Sequence, residues 1–464
     1  MHFDLVVIGG GSGGMRAARL AGQAGKRVAL VEDGMMGGTC VNVGCIPKKL
    51  YVNAGLFHHY HRLALDYGWQ MEEGRFSLAA LRQAKDREIT RLREVYRRNA
   101  LNAGVKIFDG CGRFASNDRL RVGDIELMAE KFLIATGTVS TMPADFPGIA
   151  LAHNSDAVFG LEAMPQRVLV YGGGYIAVEL AGVLARLGSK VDLVYRGERI
   201  LKNFDPDLTT ALQNMLPYDG ICLHLKTQLV GLERQGDGVA AITDTGERIE
   251  SNFVLFALGR HANIDSLGLE TSFPGQKEST RTNGALRLTS RGYIDVDEQY
   301  QTSIPGIYAL GDVVGTPQLT PMAIAQAMDF QASHFALGYA PARSRYVPTC
   351  IFSQPPLGTV GMLESQLRTE GRAYHCFSGS FIPLHLSLGE HHERVHFKIL
   401  VEQATDLVVG AHILADYAGE IIQTMAAAME SGITKAQLDA TLAVHPSIAE
   451  ELVTSYTPTH SWRP

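Results

Sequence analysis

The sequence predicts an α/β protein with two similar parallel-sheet domains followed by an α+β domain. An apolar strand runs into a glycine-rich turn and a helix at Gly9, and the same pattern returns at Gly172. From about Ser344 the pattern changes to five short strands and then two helices, which predicts the third domain. A chain of 464 residues is long enough for three domains of about 150 residues each.

Composition and charge argue against several classes of function. The net charge of −6 offers no basic surface for a nucleic acid or an anionic membrane. No apolar run approaches the roughly 20 residues that span a bilayer, and the N-terminus lacks the features of a signal peptide. Six cysteines in a chain of this length favour catalytic over structural disulfides. We therefore expect a soluble, cytoplasmic enzyme.

The first glycine-rich turn matches the pattern G-x-G-x-x-G with Gly9, Gly11 and Gly14. The first glycine allows a tight turn, the second lets a pyrophosphate approach the backbone, and the third lets the helix pack on the strand. The helix, from about Met15 to Ala24, offers unpaired N–H groups to the phosphates. Glu32 ends the next strand, where a carboxylate accepts from ribose hydroxyls. A glycine-rich loop without a ligand is the alternative, but the whole combination predicts dinucleotide binding.

The second turn repeats the pattern with Gly172, Gly174 and Ala177. The strand after its helix ends in a basic cluster formed by Arg196, Arg199 and Lys202. An acid at this place would bind a free 2′-hydroxyl, whereas arginine accommodates a 2′-phosphate through charge-assisted hydrogen bonds. A solvated basic loop, diluted by Glu198, is the alternative. The residues predict two Rossmann-like dinucleotide-binding domains, the first for FAD and the second for NADPH.

The segments around the second turn predict further elements. The charged stretch Arg82–Ala103 lacks proline and glycine and predicts a helix, and Ile107–Phe114 with Leu120–Met128 predicts a hairpin. Strands ending in small residues at Gly137 and at Gly259 are expected where the chain leaves and re-enters the first domain. Asp312 follows another strand, at the edge where parallel sheets bind ligands. A turn acid without a role is the alternative for Asp312.

Cys40 and Cys45 lie in the stretch Gly37–Lys49, directly after the first dinucleotide-binding unit. Cysteines five positions apart can form a disulfide if the chain bends, and Gly44 supplies backbone freedom for the bend. Lys48 puts a cation near whichever sulfur becomes a thiolate, which lowers the pKa of that thiol. A structural disulfide or two unpaired cysteines are the alternatives. The position beside a dinucleotide site favours a redox-active pair.

His445 is followed by Pro446, and Glu450 lies five residues further on. A histidine oriented by a carboxylate can move protons near neutral pH. A surface histidine is the alternative, but thiol–disulfide chemistry needs a proton donor and the first domain offers no obvious one. The other grouped histidines carry no helical HExxH pattern and no companion cysteine pair, so we expect no metal site. They are His58, His59, His61, His385, His391, His392 and His396.

Taken in order, these segments resemble the pyridine nucleotide–disulfide oxidoreductases over nearly the whole chain, and within them the glutathione reductases most. The resemblance rests on Gly37–Lys49, the two glycine-rich turns, Ala309–Asp312 and the His-Pro…Glu-Glu segment from His445. It implies a homodimer in which electrons pass from NADPH to FAD, to the disulfide and then to substrate. The implied domains are an FAD-binding domain of residues 1–140 and 263–338, an NADPH-binding domain of 141–262, and a C-terminal dimerisation domain of 339–464.

The resemblance also implies roles for single residues. Cys40 resembles the interchange thiol that attacks the substrate, and Cys45 resembles the charge-transfer thiol against the flavin. Lys48 resembles the lysine near the flavin, with Glu179 as its salt-bridge partner. The other implied roles are a lid over the nicotinamide pocket for Tyr175 and an acid/base from the other subunit for His445 with Glu450.

With the resemblance, the predicted cofactor contacts form two sets. The FAD set is Gly9, Gly11, Ser12, Gly13, Gly14, Glu32, Gly38, Thr39, Thr136, Gly137 and Asp312. The NADPH set is Gly172, Gly174, Tyr175, Ile176, Ala177, Glu179, Arg196, Arg199, Lys202 and Gly259.

Charge favours oxidised glutathione, which carries several carboxylates, as the substrate. Arg16 and Arg19 lie three apart and share a helix face. The predicted substrate contacts are Ser12, Arg16, Arg19 and Tyr96. Many glutathione reductases have an arginine where this chain has Met328, which is a departure. The alternatives are a dihydrolipoamide dehydrogenase, a reductase of another low-molecular-weight disulfide, and a flavin redox sensor without turnover.

Ser455–Pro464 extends past the family's usual end, and we expect a loose tail there.

Overall fold

The computed structural model describes residues 1–70, 74–269, 282–283, 286–336 and 344–464. The chain divides into two compact units. The first unit comprises Met1–Leu50, Ala80–Thr141 and Gly259–Arg343, and the second comprises Tyr51–Ala79, Met142–Leu258 and Ser344–Pro464. The limits of the three predicted domains remain a prediction.

The described helices and strands are numbered in chain order. The α-helices are α1 Ser12–Gln23, α2 Gly38–Asn42, α3 Cys45–Asp66, α4 Leu78–Asn102, α5 Tyr175–Arg186, α6 Pro206–Met215, α7 Thr320–Phe335, α8 Glu364–Thr369, α9 Ala418–Glu430, α10 Lys435–Asp439 and α11 Glu451–Thr454. The strands up to the second dinucleotide turn are β1 His2–Phe3, β2 Leu5–Ile8, β3 Val28–Glu32, β4 Lys106–Asp109, β5 Gly112–Ser116, β6 Arg119–Val122, β7 Ile125–Ala129, β8 Phe132–Ile134, β9 Thr138–Ser140 and β10 Arg167–Tyr171. The next are β11 Lys190–Tyr195, β12 Ile221–Leu225, β13 Leu229–Gln235, β14 Gly238–Thr243, β15 Arg248–Ser251, β16 Phe253–Phe256, β17 Arg260–Ala262, β18 Thr282–Asn283, β19 Leu286–Arg287 and β20 Ile307–Ala309. The last are β21 Thr349–Ile351, β22 Leu357–Gly361, β23 Tyr374–Phe381, β24 Val395–Glu402, β25 Val408–Leu414 and β26 His460–Trp462.

The first unit is organised around a five-stranded parallel sheet in the order β20-β8-β2-β3-β4. Side chains of β2 alternate between two cores because successive residues of a strand point to opposite faces. Leu5 and Val7 pack with helix residues such as Met15, and Val6 and Ile8 pack with residues of the β5–β7 meander. Burial on both faces explains why β2 is apolar throughout.

The second unit repeats this architecture and adds another sheet. Its parallel sheet has the order β12-β11-β10-β16, and a core including Leu169 and Val254 joins it to the antiparallel sheet β13-β14-β15. The C-terminal part forms a six-stranded antiparallel sheet, β21-β22-β25-β24-β23-β26, covered by α9. Two Rossmann-like sheets and a C-terminal α+β part confirm the predicted fold class.

Two expectations about elements are wrong. The expected first hairpin strand, Ile107–Phe114, is two strands: β4 joins the parallel sheet and β5 pairs with β6. Gly110 lies between them with φ +143°, a conformation that few other residues adopt. The expected loose tail instead forms β26, which pairs with β23, and Trp462 stacks on Tyr374 at 6.0 Å between ring centroids.

Within the described ranges, none of the helices combines the length and the apolar character that a membrane span requires.

Candidate active site

The two cysteines lie on consecutive helices of the first unit. Cys40 is in α2, and Cys45 is the first residue of α3. Gly44 joins the helices where a Cβ atom would lie 2.8 Å from the carbonyl oxygen of Thr39. Glycine is required at position 44 because the backbones approach closely there, and not because of the conformational freedom expected from the sequence. This approach brings the two sulfurs within hydrogen-bond reach of each other.

The segment before α2 contacts the first glycine-rich turn. The N–H of Gly37 donates to the carbonyl of Gly10 at 3.0 Å. A Cβ atom on Gly38 would lie 2.8 Å from the Cα of Gly11, so the two backbones meet where a side chain would not fit. The structure therefore brings the cysteine segment directly to the predicted FAD turn.

Cys45 has the chemistry of a reactive thiolate. The hydrogen bond from the Cys40 thiol, a contact with Thr320 and the charge of Lys48 lower the pKa of Cys45 to about 6, against the opposing effect of burial. Its position in the first turn of α3 works in the same direction, since helix N-termini favour anions. The pKa of Cys40 is raised, because it donates to Cys45 and is partly buried. At neutral pH the pair is one thiolate and one thiol.

Sequence reasoning missed Thr320 as a site residue. Its Oγ1 lies 3.8 Å from the Cys45 sulfur, at the first position of α7. Thr320 is 275 residues from Cys45 in the chain, and no local pattern connects the two. Sequence reasoning also missed that Cys45 begins a helix, although proline in the first turn, here Pro47, is a common helix-start signal.

The first glycine-rich turn fits a dinucleotide. Gly9 has φ +105°, and a Cβ atom there would lie 2.4 Å from the carbonyl oxygen of Ala135. The N-cap residue Gly11 makes no side-chain cap, so the first N–H groups of α1 are available to phosphate. The Glu32 carboxylate accepts from the N–H groups of Gly10 and Gly34. Burial raises the pKa of Glu32, and these two hydrogen bonds oppose the rise.

Two further predicted FAD residues lie at the ends of neighbouring strands of the same sheet. Thr136 follows β8, and its buried Oγ1 has no hydrogen-bond partner within the described part of the chain. Asp312 follows β20; burial raises the pKa of its carboxyl, and the nearby Arg260 guanidinium opposes this rise. An unsatisfied hydroxyl and a half-buried acid at one sheet edge suit the hydroxyl groups of a bound cofactor.

The second glycine-rich turn repeats the geometry of the first. A Cβ atom on Gly172 would lie 2.3 Å from the carbonyl oxygen of Ala257, as one on Gly9 would from Ala135. Gly174 is the N-cap of α5 and makes no side-chain cap, and nothing lies within 4 Å of a Cβ built there. Tyr175 is the first residue of α5 and is 41% exposed. The helix start is open to a phosphate group.

The basic cluster after β11 is near that helix start in the chain's second unit. Arg196 is exposed directly after β11. Arg199 donates to the carbonyl of Lys202 at 3.4 Å, and its buried Nε has no hydrogen-bond partner among the residues described. Glu198 lies 3.6 Å from Lys226 instead of pairing with Arg196. The charge of Glu198 is thus partly neutralised by a different cation.

Among the four predicted substrate residues, Tyr96 is linked electrostatically to both cysteines, and the substrate roles of all four remain predictions. Arg19 and both cysteines act electrostatically on Tyr96, whose pKa burial raises. The Nη2 of Arg16 lies 3.4 Å from the sulfur of Met328. The buried Nε atoms of Arg16 and Arg19 have no hydrogen-bond partner in the described ranges. Two incompletely satisfied guanidinium groups on α1 form a site suited to carboxylates.

His445 and Glu450 meet as the sequence predicted. The Nδ1 of His445 lies 2.9 Å from Oε2 of Glu450, and the His445 side chain is 80% exposed. Large exposed apolar side chains flank it, Leu442 at 95% and Val444 at 77%. Exposed apolar residues around a polar group mark an interaction surface.

Lys48 and Glu179 belong to different units, and their pairing remains a prediction. Lys48 lies in the first turn of α3 and acts on Cys45. Glu179 is buried in α5, where its Oε1 accepts from the N–H of Phe352 at 2.7 Å.

The grouped histidines make individual contacts. His391 lies 2.7 Å from Asp66, His385 lies 2.9 Å from Asp416, and the ring of His392 stacks on Tyr218 at 3.7 Å.

Comparisons with known proteins identify the family of the chain. The family model for the pyridine nucleotide-disulphide oxidoreductases matches residues 3–327, and the model for their dimerisation domain matches residues 347–456. The chain is 41% identical to a glutathione reductase of Burkholderia cepacia over 452 residues, covering 97% of this chain and 98% of the relative. It is 35% identical to a glutathione reductase of Nostoc sp. over 97% of this chain and 99% of the relative. It is 34% identical to a chloroplastic/mitochondrial glutathione reductase of Pisum sativum over 99% and 83%. The chain belongs to the pyridine nucleotide-disulphide oxidoreductase family and carries both its oxidoreductase part and its dimerisation domain.

Proposed function

We propose that the chain is an NADPH-dependent reductase of oxidised glutathione. The observation that carries the proposal is a low-pKa Cys45 with its partner Cys40, both of which act electrostatically on Tyr96 together with Arg19. Arg16 lies on the same helix as Arg19, and neither guanidinium group is fully satisfied within the described ranges. The dithiol supplies the reducing chemistry, and the two cations select a substrate with carboxylates. The relatives named above are glutathione reductases, and each matches nearly the whole chain.

The thiol steps follow from the protonation of the pair. Cys40 passes its proton to the His445 imidazole and attacks one sulfur of oxidised glutathione; the substrate S–S bond breaks, a mixed disulfide forms, and the departing glutathione thiolate takes the proton back from His445. The Cys45 thiolate then attacks the Cys40 sulfur, which forms the Cys40–Cys45 disulfide and releases the second glutathione. Two electrons have moved from the dithiol to the substrate. The low pKa of Cys45 keeps the second nucleophile ionised at neutral pH.

His445 supplies the proton that the leaving thiolate needs. Glu450 holds Nδ1 of the ring, so Nε2 is directed away from the carboxylate. A protonated Nε2 donates to the leaving sulfur and turns a poor leaving group into a good one. The exposure of His445 suits a role at a site completed by the partner subunit of the homodimer.

FAD and NADPH are the cofactors of this chemistry. When bound, the flavin would supply two-electron transfer between NADPH and the Cys40–Cys45 disulfide. The chain's residues bind and orient it. The helix start after Gly11 would hold the pyrophosphate, Glu32 would accept from ribose hydroxyls, and Thr136 and Asp312 would bind the remaining hydroxyls.

Met328 is the departure that bears on the substrate. Its thioether is a weak acceptor for Arg16 and carries no charge. Arg16 therefore keeps most of its capacity to bind a carboxylate, although a second cation is absent at that position. We propose a cytoplasmic location as well, because no structural disulfide joins the four cysteines outside the reactive pair.

Initial rates of NADPH and NADH consumption with oxidised glutathione and with lipoamide test the proposal. We expect fast turnover with NADPH and oxidised glutathione, and weak turnover with NADH or lipoamide. Turnover with lipoamide and NADH alone would indicate dihydrolipoamide dehydrogenase activity instead. Cys40→Ser should abolish disulfide turnover while NADPH still bleaches the flavin. Turnover by that variant would contradict the order assigned to the two thiols.

A further inference from the structure

A cluster of three different metal-binding side chains lies in the second unit, outside the thiol site. Asp192 is on β11, and Cys222 and His224 are on β12. One carboxylate oxygen, one sulfur and one imidazole nitrogen lie within 4.8 Å of one another. None of these three residues takes part in the thiol chemistry proposed above.

The sheet register explains why the three side chains meet. Cys222 and His224 are two apart on one strand and therefore face the same side of the sheet. In the parallel pairing, Asp192 lies opposite Cys222, and Val194 lies opposite His224. Since β12 is the edge strand of its sheet, these side chains are reached from solvent at the margin of the sheet. The backbone thus fixes the geometry without a dedicated loop.

The polar contacts converge on the carboxylate. Nε2 of His224 lies 2.8 Å from Oδ1 of Asp192, and the Cys222 sulfur lies within 4.8 Å of both atoms. The charge of Glu247 acts on both Cys222 and His224. A thiol and an imidazole directed at one carboxylate, with a second carboxylate close by, are the donors that a cation gathers. We propose that Asp192, Cys222 and His224 form a binding site for a zinc-class divalent cation.

Binding requires only small movements. A tetrahedral ion with ligand bonds of about 2.0–2.3 Å separates its ligand atoms by roughly 3.2–3.8 Å. Oδ1 of Asp192 and Nε2 of His224, now 2.8 Å apart, need to separate by a few tenths of an ångström. The Cys222 sulfur already lies within 4.8 Å of both atoms. On binding, the Cys222 thiol loses its proton to solvent, and Nε2 of His224 exchanges its hydrogen bond for a coordinate bond. Water takes the fourth position.

The donor set selects the class of ion. Thiolate and imidazole ligands suit Zn²⁺ and Co²⁺, whereas Mg²⁺ and Ca²⁺ require oxygen ligands. The chain's other described cluster of this kind, Glu364, Cys376 and His460, does not meet the same conditions. There the buried ammonium of Lys398 lies 2.7 Å from Glu364. A metal ion would have to displace the Lys398 ammonium from Glu364.

Titration of the holoenzyme with Co²⁺ tests the site. The enzyme is kept oxidised, so that Cys40 and Cys45 are a disulfide and do not bind metal. We expect one Co²⁺ per subunit, with tetrahedral d–d absorption at wavelengths beyond the flavin bands and a sulfur-to-cobalt charge-transfer band. Zn²⁺ should displace it, and excess Mg²⁺ should not.

Two variants and one control assign the ligands. Cys222→Ser should remove the sulfur-to-cobalt band, and His224→Gln should weaken binding by about tenfold or more. Cys111→Ser, which alters another exposed cysteine, should bind as the parent does. NADPH-dependent turnover retained in each variant shows that the fold is intact. Absence of Co²⁺ absorption in the parent, or an unchanged band in Cys222→Ser, would overturn the proposal.

Discussion

Cys45 is the residue on which the proposed chemistry depends most directly. Its pKa of about 6 reflects the hydrogen bond from Cys40, then Thr320 and Lys48, so the thiolate exists above that pH and is protonated below it. In the NADPH-reduced enzyme, we expect the long-wavelength thiolate–flavin absorbance to be full at pH 8 and to fall as pH drops through about 6.

Two variants check that assignment by absorbance titration. Cys45→Ser should lack the band at every pH, and Thr320→Val should move its midpoint to higher pH because a hydrogen bond to the thiolate is lost. A midpoint that stays the same in Thr320→Val would show that Thr320 does not stabilise the thiolate.

Arg196 carries the predicted choice between NADPH and NADH. A charged hydrogen bond to the 2′-phosphate contributes roughly 1.5–3 kcal/mol, so Arg196→Glu should lower kcat/KM for NADPH by roughly 10- to 150-fold. NADH lacks the phosphate, and its kcat/KM should hardly change. Glu198→Gln is the matched control, since Glu198 lies 3.6 Å from Lys226 and should leave both values near the parent. Equal losses with both nucleotides in Arg196→Glu would argue against the phosphate role.

Lys398 ties three elements of the second unit together. Its buried ammonium on β24 lies 2.9 Å from Asp205, the N-cap of α6, and 2.7 Å from Glu364 on α8. Replacing it with methionine leaves Asp205 as a buried, uncompensated charge, and we expect a loss of about 3–5 kcal/mol in the free energy of unfolding. Urea denaturation measures it. Lys226→Met, at an exposed pair, should cost less than about 1 kcal/mol.

The same cluster predicts a pH dependence. Burial alone would raise the pKa of Glu364, but hydrogen bonds from Lys398, Tyr374 and His460 lower it from 4.5 to about 2. A lowered folded-state pKa stabilises the fold above the unfolded value, and this contribution disappears as pH falls from 4.5 towards 2. The parent should therefore lose stability over this range more steeply than Lys398→Met. Parallel profiles for the two proteins would show that Lys398 does not set the pKa of Glu364.

Elements whose patterns are local were predictable from the sequence. The strands at Leu5–Ile8 and Arg167–Tyr171 and the helices after both glycine-rich turns follow from apolar runs and glycine spacing. The split of Ile107–Phe114 and the pairing of β26 were not predicted, since each depends on partners distant in the chain. Thr320 beside Cys45 is the same case within the site. Trp462 was the available signal that the tail is packed, because a large aromatic residue is uncommon in a loose end.

At the scale of the whole molecule, the exposure of His445 leads to the most discriminating experiment. The resemblance to the family implies that each site combines Cys40 of one subunit with His445 of the partner subunit, and the 80% exposure of the His445 side chain on its own chain fits such a shared site. Cys40→Ser and His445→Gln homodimers should each be nearly inactive. In a hybrid of the two chains, one site carries both changes and the other carries neither.

Mixing the two unfolded variants in equal amounts and refolding them with FAD should therefore restore activity. Random assembly makes half of the dimers hybrid, each with one intact site, so about one quarter of the parent's activity should return. Glu450→Gln in place of His445→Gln should complement Cys40→Ser in the same way, since Glu450 orients the ring of His445 in the same chain. If cysteine and histidine acted within one chain, both sites of every hybrid would be defective and mixing would restore nothing. The amount of activity recovered thus distinguishes a site shared between subunits from one contained in each.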